Sequence, residues 1–266
     1  MTYCVGIAVD AGLCFIADSR TNAGVDDVNT YSKLYRFSIE GERQIIVLCA
    51  GNLATTQGVI TQIKRDAKMN AAQNILKISH LEDIADYIGE LSVARQEKHA
   101  SGSNTFEASF IVGGQIKGHK HNLYRVYAAG NHIKISVSTP FLQIGESKYG
   151  KPILDRIIVP ESTLDTAAMC GLVSMDSTMK SNLSVGPPIE VVLYARDSFS
   201  SERHYVFEES SDYLRNVSRA WDEKLRAAFA GMPPIAWSGK WNEADLGNRW
   251  ITSHVLFFAR VDLATN

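Results

Sequence analysis

Thr2-Tyr3-Cys4-Val5-Gly6-Ile7-Ala8-Val9-Asp10-Ala11-Gly12-Leu13-Cys14-Phe15-Ile16-Ala17-Asp18 follows Met1, and its reading decides the fold. The runs Thr2 to Asp10 and Leu13 to Asp18 read as buried strands joined at Asp10-Ala11-Gly12, where Gly12 can supply the positive φ of a tight hairpin. Such a hairpin returns Asp18 to the neighbourhood of Thr2. Thr2 itself carries chemistry. If Met1 is removed, one residue holds a hydroxyl nucleophile and an α-amine whose ordinary pKa of about 8 suits it to act as the base. The plainer alternative is that a small second residue only permits methionine removal.

Outward from this hairpin, Ser19 to Asn29 is polar and reads as a loop. A second hairpin follows, Ser32 to Ser38 and Gln44 to Ala50, turning at Glu40-Gly41-Glu42. After Gly51 the period becomes helical: Leu53, Val59, Ile60 and Ile63 share a face of a helix running to about Met69. Ser79-x-x-Glu82 has the spacing of a capping box, opening a second helix toward His99. Strand character returns at Phe106 to Val112, Leu123 to Ala128, Ile133 to Val137 and Phe141 to Ile144. Helices are then expected over Ser147 to Ile158 and Thr163 to Lys180; Pro152 either kinks the first or marks a late start. Ile189 to Ala195 reads as a strand and Ser210 to Ala230 as a helix. Hairpins segregated from helix pairs predict an α+β fold, with the helix pairs covering a largely antiparallel two-sheet core.

With 266 residues and 45% apolar content, the chain can bury a substantial core, and one compact domain is expected. A formal net charge of -2 speaks against a nucleic-acid partner. No apolar run approaches the ~18 residues needed to span a bilayer, and a basic leader is absent, so a soluble cytoplasmic protein is expected. Cys4, Cys14, Cys49 and Cys170 lie in apolar runs without a CxxC pair, which predicts reduced, buried thiols rather than structural zinc. His119-x-His121 sits in a polar turn with no HExxH companion, so no metal and no cofactor are expected. Neither GxSxG nor GxxxxGK[ST] occurs; any ATP-driven unfoldase would be a separate partner. Gly51 is a candidate for stabilising a developing oxyanion through its backbone N–H, or is simply turn chemistry between a strand and a helix.

Thr2, Ala17-Asp18-Ser19-Arg20, Lys33 and Cys49-Ala50-Gly51-Asn52-Leu53-Ala54 resemble, in order and spacing, the proteasome β-subunit family of amino-terminal-nucleophile hydrolases. Gly145-Glu146-Ser147-Lys148-Tyr149-Gly150-Lys151-Pro152-Ile153-Leu154-Asp155 and Asp176-Ser177-Thr178-Met179-Lys180-Ser181-Asn182-Leu183-Ser184-Val185-Gly186 resemble its bacterial ancestral β-subunit branch, Anbu. The resemblance spans residues 1–237 as a single domain and implies a four-layer αββα sandwich. It also implies self-association into ring-like or helical homo-oligomers enclosing a chamber. Residues 238–266 lie outside it, and their tryptophans and Val255-Leu256-Phe257-Phe258 are read either as completing the core or as contacting a neighbouring subunit.

The resemblance implies a threonine endopeptidase in which Thr2 cleaves peptide bonds of unfolded protein or peptide substrates. It places Lys33 beside the nucleophile, Asp18 in a pair with Lys33, Gly51 at the oxyanion, and Ser147 and Asp176 near the terminal amine. An ordinary ion pair is the other reading of Asp18 and Lys33. Arg20 either pins its loop or binds substrate backbone, and Thr21, Tyr31, Cys49 and Leu53 correspond to a mainly apolar substrate pocket or to core. Two departures stand out. Glu146 precedes Ser147 where the wider family has serine directly after the glycine, so Ser147 is either a site residue or a helix N-cap. Met179 stands where serine is common. These departures support the alternative function, a catalytically weak or inactive chamber or interaction scaffold.

Overall fold

The computed structural model describes residues 2–22, 28–99, 106–200 and 203–233. Its opening runs are β1 (Tyr3–Val9) and β2 (Gly12–Asp18), paired antiparallel with Cys4 opposite Ala17 and Val9 opposite Gly12. Every residue of both strands is buried. The reason is layering: Tyr3, Val5 and Ile7 point into one core, while Cys4 and Ala8 point into another on the opposite face.

The chain continues through β3 (Arg20–Asn22), β4 (Val28–Thr30), β5 (Leu34–Ile39), β6 (Arg43–Gly51), α1 (Leu53–Lys68) and α2 (Leu81–His99). Then come β7 (Ala108–Ile116), β8 (Asn122–Val126), β9 (His132–Lys134), β10 (Phe141–Gly145), α3 (Lys151–Ile157) and α4 (Leu164–Ser181). The last are β11 (Ile189–Ala195), β12 (Arg203–Phe207) and α5 (Asp212–Ala230). One five-stranded sheet runs β10-β1-β2-β11-β12 and the other β5-β6-β7-β8-β9, with β3-β4 a separate ribbon; every strand pair is antiparallel.

Three apolar clusters join these elements into four layers. Phe15, Ala17, Leu48, Ile111, Leu123 and Tyr194 fill the space between the sheets. Beneath α3 and α4, Leu154, Leu172 and Met175 meet Tyr3, Val5 and Ile7. On the outer face of the other sheet, Val59, Ile60 and Ile63 of α1 and Ile84 and Ile88 of α2 meet Ile45, Val47 and Phe110. The fold is thus the expected α+β sandwich of two antiparallel sheets flanked by helix pairs. Helix α1 begins where the sequence allows a cap: Asn52 Oδ1 accepts the Thr55 N–H at 3.1 Å, a contact worth about 1 kcal/mol.

Several elements differ from the sequence reading. Ser147 does not cap α3; Gly150 holds that position and Pro152 lies in the first turn, where a missing N–H costs nothing. The Ser79 hydroxyl contacts His80 Nδ1 at 3.2 Å, and α2 begins at Leu81. The segment expected as loop contains the short β3-β4 ribbon. Strand β12 was absent from the reading because its residues are largely exposed and half polar, as suits a sheet edge.

By compactness the chain forms two units, Met1–Ser218 and Arg219–Asn266. Both sheets belong to the first. Of the second, the described residues are the remainder of α5 and the turn to residue 233, and Leu225, Phe229 and Met232 there are exposed. Trp237, Trp241, Trp250 and the apolar tail lie outside the described residues. Among the described residues no helix is long and apolar enough to cross a membrane.

Candidate functional site

Strand β2 ends at Asp18, which is wholly buried, and a buried carboxylate persists only with donors around it. Asp18 has three. Lys33 Nζ donates to Oδ1 at 2.8 Å, the Tyr3 N–H donates to the same oxygen at 3.0 Å, and the Gly186 N–H donates to Oδ2 at 3.3 Å. Burial pushes the Asp18 carboxyl upward, while the Lys33 ammonium and the two backbone N–H groups pull it down.

Lys33 is itself buried and also donates to the Arg20 carbonyl at 2.5 Å. Its own carbonyl accepts the Cys49 N–H at 3.0 Å, fixing the entry to β5 against β6. The ion pair therefore ties the Asp18 end of one sheet to the Lys33 approach of the other.

Thr2 leads into β1 and is half-buried. Its carbonyl accepts the Glu146 N–H at 2.7 Å, and its neighbour Tyr3 pairs across the strands with Gly145. Gly145 has φ +81°, and a Cβ there would stand 1.9 Å from the Thr2 carbonyl oxygen, so only glycine fits. Tyr3 is anchored below: its hydroxyl lies 2.6 Å from Ser174 Oγ and accepts from Gln143 Nε2 at 2.6 Å. Burial pushes that phenol up to about 12, so it stays neutral. The start of β1 is thus held through its side chain, its N–H and the preceding carbonyl.

Gly51 closes β6 beside the Asn52 cap, with φ +112° and an exposed backbone. A Cβ there would lie 2.4 Å from the Glu107 carbonyl oxygen. The Cys4 thiol reaches the Cys49 carbonyl at 3.7 Å, which places β6 next to β1 at this end of the sandwich.

The remaining candidates are placed as follows. Arg20 donates through Nη1 to the Leu183 carbonyl at 3.0 Å, and its guanidinium packs on Gly186. Ser147 is half-buried, and its carbonyl accepts from Lys151 N and Gln143 Nε2 at 3.2 and 3.4 Å. Asp176, on α4, is buried; Lys180 Nζ lies 3.7 Å from Oδ2, an oxygen without a hydrogen-bond partner. Thr21 is half-buried and its Oγ1 is unpartnered, Tyr31 is exposed and Leu53 half-buried. Cys49 packs in the core under α1 with Val59 and Ile60.

The geometry thus gathers Thr2, Asp18 and Lys33 around the start of β1. No described hydrogen bond joins Ser147 or Asp176 to Thr2. Glu146, Gln143, Ser174 and the Gly186 N–H are contacts the sequence reading did not assign to Thr2 or its supports. Gly145 was the one signal pointing to them, since a glycine closing a strand marks close backbone approach. All four cysteines are free and buried, and burial pushes the Cys4 and Cys49 thiols up, which makes them poor nucleophiles. Among the described residues, no group of three or more His, Cys, Asp or Glu is placed to hold a metal ion.

Residues 2–194 match the proteasome subunit family model. Among solved structures, Anbu (ancestral beta-subunit) from Yersinia bercovieri is 41% identical, with a TM-score of 0.84, covering 89% of this chain and 100% of that one. A helical assembly of the Anbu complex from Pseudomonas aeruginosa is 38% identical with a TM-score of 0.85, covering 90% and 100%. Anbu from Hyphomicrobium sp. strain MC1 is 40% identical with a TM-score of 0.81, covering 88% and 99%. No functionally curated protein matches the chain. With β1 following directly on Thr2 and the Asp18–Lys33 pair supporting its beginning, the chain belongs to the proteasome subunit family, in its Anbu branch.

Proposed function

We propose that this chain is a threonine peptidase subunit whose nucleophile is Thr2, exposed by removal of Met1. The observation that carries the reading is the buried Lys33–Asp18 pair, 2.8 Å long, whose carboxylate also holds the N–H of the residue after Thr2. In the first step the Thr2 hydroxyl gives its proton to the α-amine, directly or through water, as Oγ attacks the substrate carbonyl. The Gly51 N–H meets the negative charge that develops on the carbonyl oxygen. Collapse expels the leaving amine, which takes the proton back, and leaves an ester on Thr2 Oγ. Water then resolves the ester. Self-association into a helical or ring-like homo-oligomer would confine this chemistry in a chamber, as the assembly of the Pseudomonas aeruginosa relative suggests.

A scaffold with an idle Thr2 is the second reading. It is motivated by Met179, which packs against the apolar core where the wider family often has a serine, and by Asp176 Oδ2, which accepts no hydrogen bond. Intact mass of the native protein, before and after a threonine-directed epoxyketone, separates the two. A peptidase loses Met1 and gains one adduct per chain, and Thr2→Ala gains none. Retained Met1, or no adduct on the wild type, overturns the peptidase.

A further inference from the structure

We propose that residues 182–186 form a strap that positions Thr2, with Asn182 and Glu146 as its positioning residues; the inference rests on the reading of Thr2 as nucleophile. Helix α4 ends at Ser181 and is capped by Asn182, whose N–H still bonds the Thr178 carbonyl at 2.8 Å. Its side chain faces two ways. Oδ1 accepts the Ser184 N–H at 3.0 Å, shaping the turn, while Nδ2 donates to Glu146 Oε2 at 3.3 Å. The Asn182 carbonyl accepts the Val185 N–H at 3.0 Å, which brings the next amide, that of Gly186, to Asp18 Oδ2.

These contacts close a circuit around Thr2. On one side its carbonyl is held by the Glu146 N–H, and the carboxylate of Glu146, a residue only 7% exposed, is held by Asn182. On the other side the Tyr3 N–H is held by Asp18, and Asp18 by Gly186. Both arms end on one five-residue turn. Arg20 grips that turn a second time, donating to the Leu183 carbonyl at 3.0 Å, with its own N–H on the Gly186 carbonyl at 3.3 Å. A Cβ on Gly186 would stand 2.4 Å from the Arg20 guanidinium carbon, so the two are in close contact.

The physical need is plain. A nucleophile at the start of a strand would fray unless tied down, and misplacement by about 1 Å costs up to roughly a hundredfold in rate. Glu146 is an expensive residue to bury. The amide of Asn182 is what its carboxylate meets, and the loop that supplies this amide also steadies Asp18. The strap thus couples the carboxylate behind Lys33 to the backbone of Thr2.

The test uses the full-length oligomer and follows peptide hydrolysis, epoxyketone inactivation and hydrogen exchange of the β1 and strap amides. Asn182→Ala and Glu146→Ala should each lower kcat and the inactivation rate about tenfold with KM within about twofold, as expected for lost orientation rather than lost binding. Glu146→Gln should stay within about threefold of wild type, because its amide oxygen still accepts from Asn182 Nδ2. The double alanine variant should be no slower than either single one, since both break one coupling. Wild-type kcat in either alanine variant, a loss confined to KM, or a Gln variant as damaged as the Ala variant would each overturn the strap. If the wild type forms no adduct, the peptidase reading fails separately and exchange decides: faster exchange of the Tyr3 and Gly186 amides in Asn182→Ala sustains the strap, and unchanged exchange overturns it.

Discussion

Asp18 shows how one side chain can serve stability and, on the proposed reading, chemistry together. It accepts from Lys33, Tyr3 and Gly186, so replacing it leaves the buried Lys33 ammonium uncompensated. Asp18→Asn is expected to cost about 3–5 kcal/mol, read by urea unfolding at neutral pH, and to abolish epoxyketone labelling of the chains that remain folded. Gly51 is constrained differently. Its φ of +112° and the nearby Glu107 carbonyl leave no room for a side chain, so Gly51→Ala should destabilise by about 1–3 kcal/mol of local strain. It should also slow hydrolysis, measured by thermal denaturation alongside kcat. At this scale the sequence was informative wherever chemistry is local: the hairpin alone returns Asp18 toward Thr2, and Gly51 is visible as a strand-to-helix junction. The partners of Glu146 were not visible, because they depend on where the end of α4 falls relative to β10, a matter of tertiary packing.

Among the elements, the β7-β8 turn reports on pH. The ring nitrogen Nε2 of His121 lies 2.9 Å from the Val9 carbonyl, which makes it the donor, while Nδ1 is buried without a partner. Asp10, Arg196 and Asp197 face the ring, Arg196 disfavouring its charge and the two carboxylates favouring it. Burial dominates and lowers the His121 pKa below 6.5. The folded state thus resists a proton that the unfolded chain accepts, so this contribution to stability is present above pH 6.5 and is lost as pH falls below it. His121→Gln, which can keep the donor to Val9, should show a smaller fall in Tm between pH 7.5 and 5.5 than the wild type, a window about one unit either side of the ordinary histidine value. Elements with strong apolar periodicity were legible: β1, β2, β6, α1, α4 and α5 lie near their expected bounds. The elements misplaced or unseen include β12, the β3-β4 ribbon and the start of α3, which share weak apolar content; edge pairing and a Gly-Pro entry define them instead.

At the scale of the whole molecule, stability rests on the space between the sheets. Phe15 is fully buried there beside Leu48, Ile111 and Leu123, and truncation leaves a cavity that close-packed sheets cannot collapse into. Phe15→Ala should cost about 3–5 kcal/mol in urea with little change in m. The layer order was readable from hairpins alternating with helix pairs, whereas the pairing of β1 with β10, over a hundred residues away, was not: register between distant strands is set by packing. One further consequence follows from the ion pair at the Thr2 end. Asp18 comes from one sheet and Lys33 from the approach to the other, so neither sheet alone owns the pair. A chain whose sheets have not docked has Thr2 but not the Lys33–Asp18 pair that holds the Tyr3 N–H at the start of β1. On the proposed reading of Thr2 as nucleophile, activity would therefore wait on docking of the two sheets, and an unfinished copy would be harmless to its neighbours.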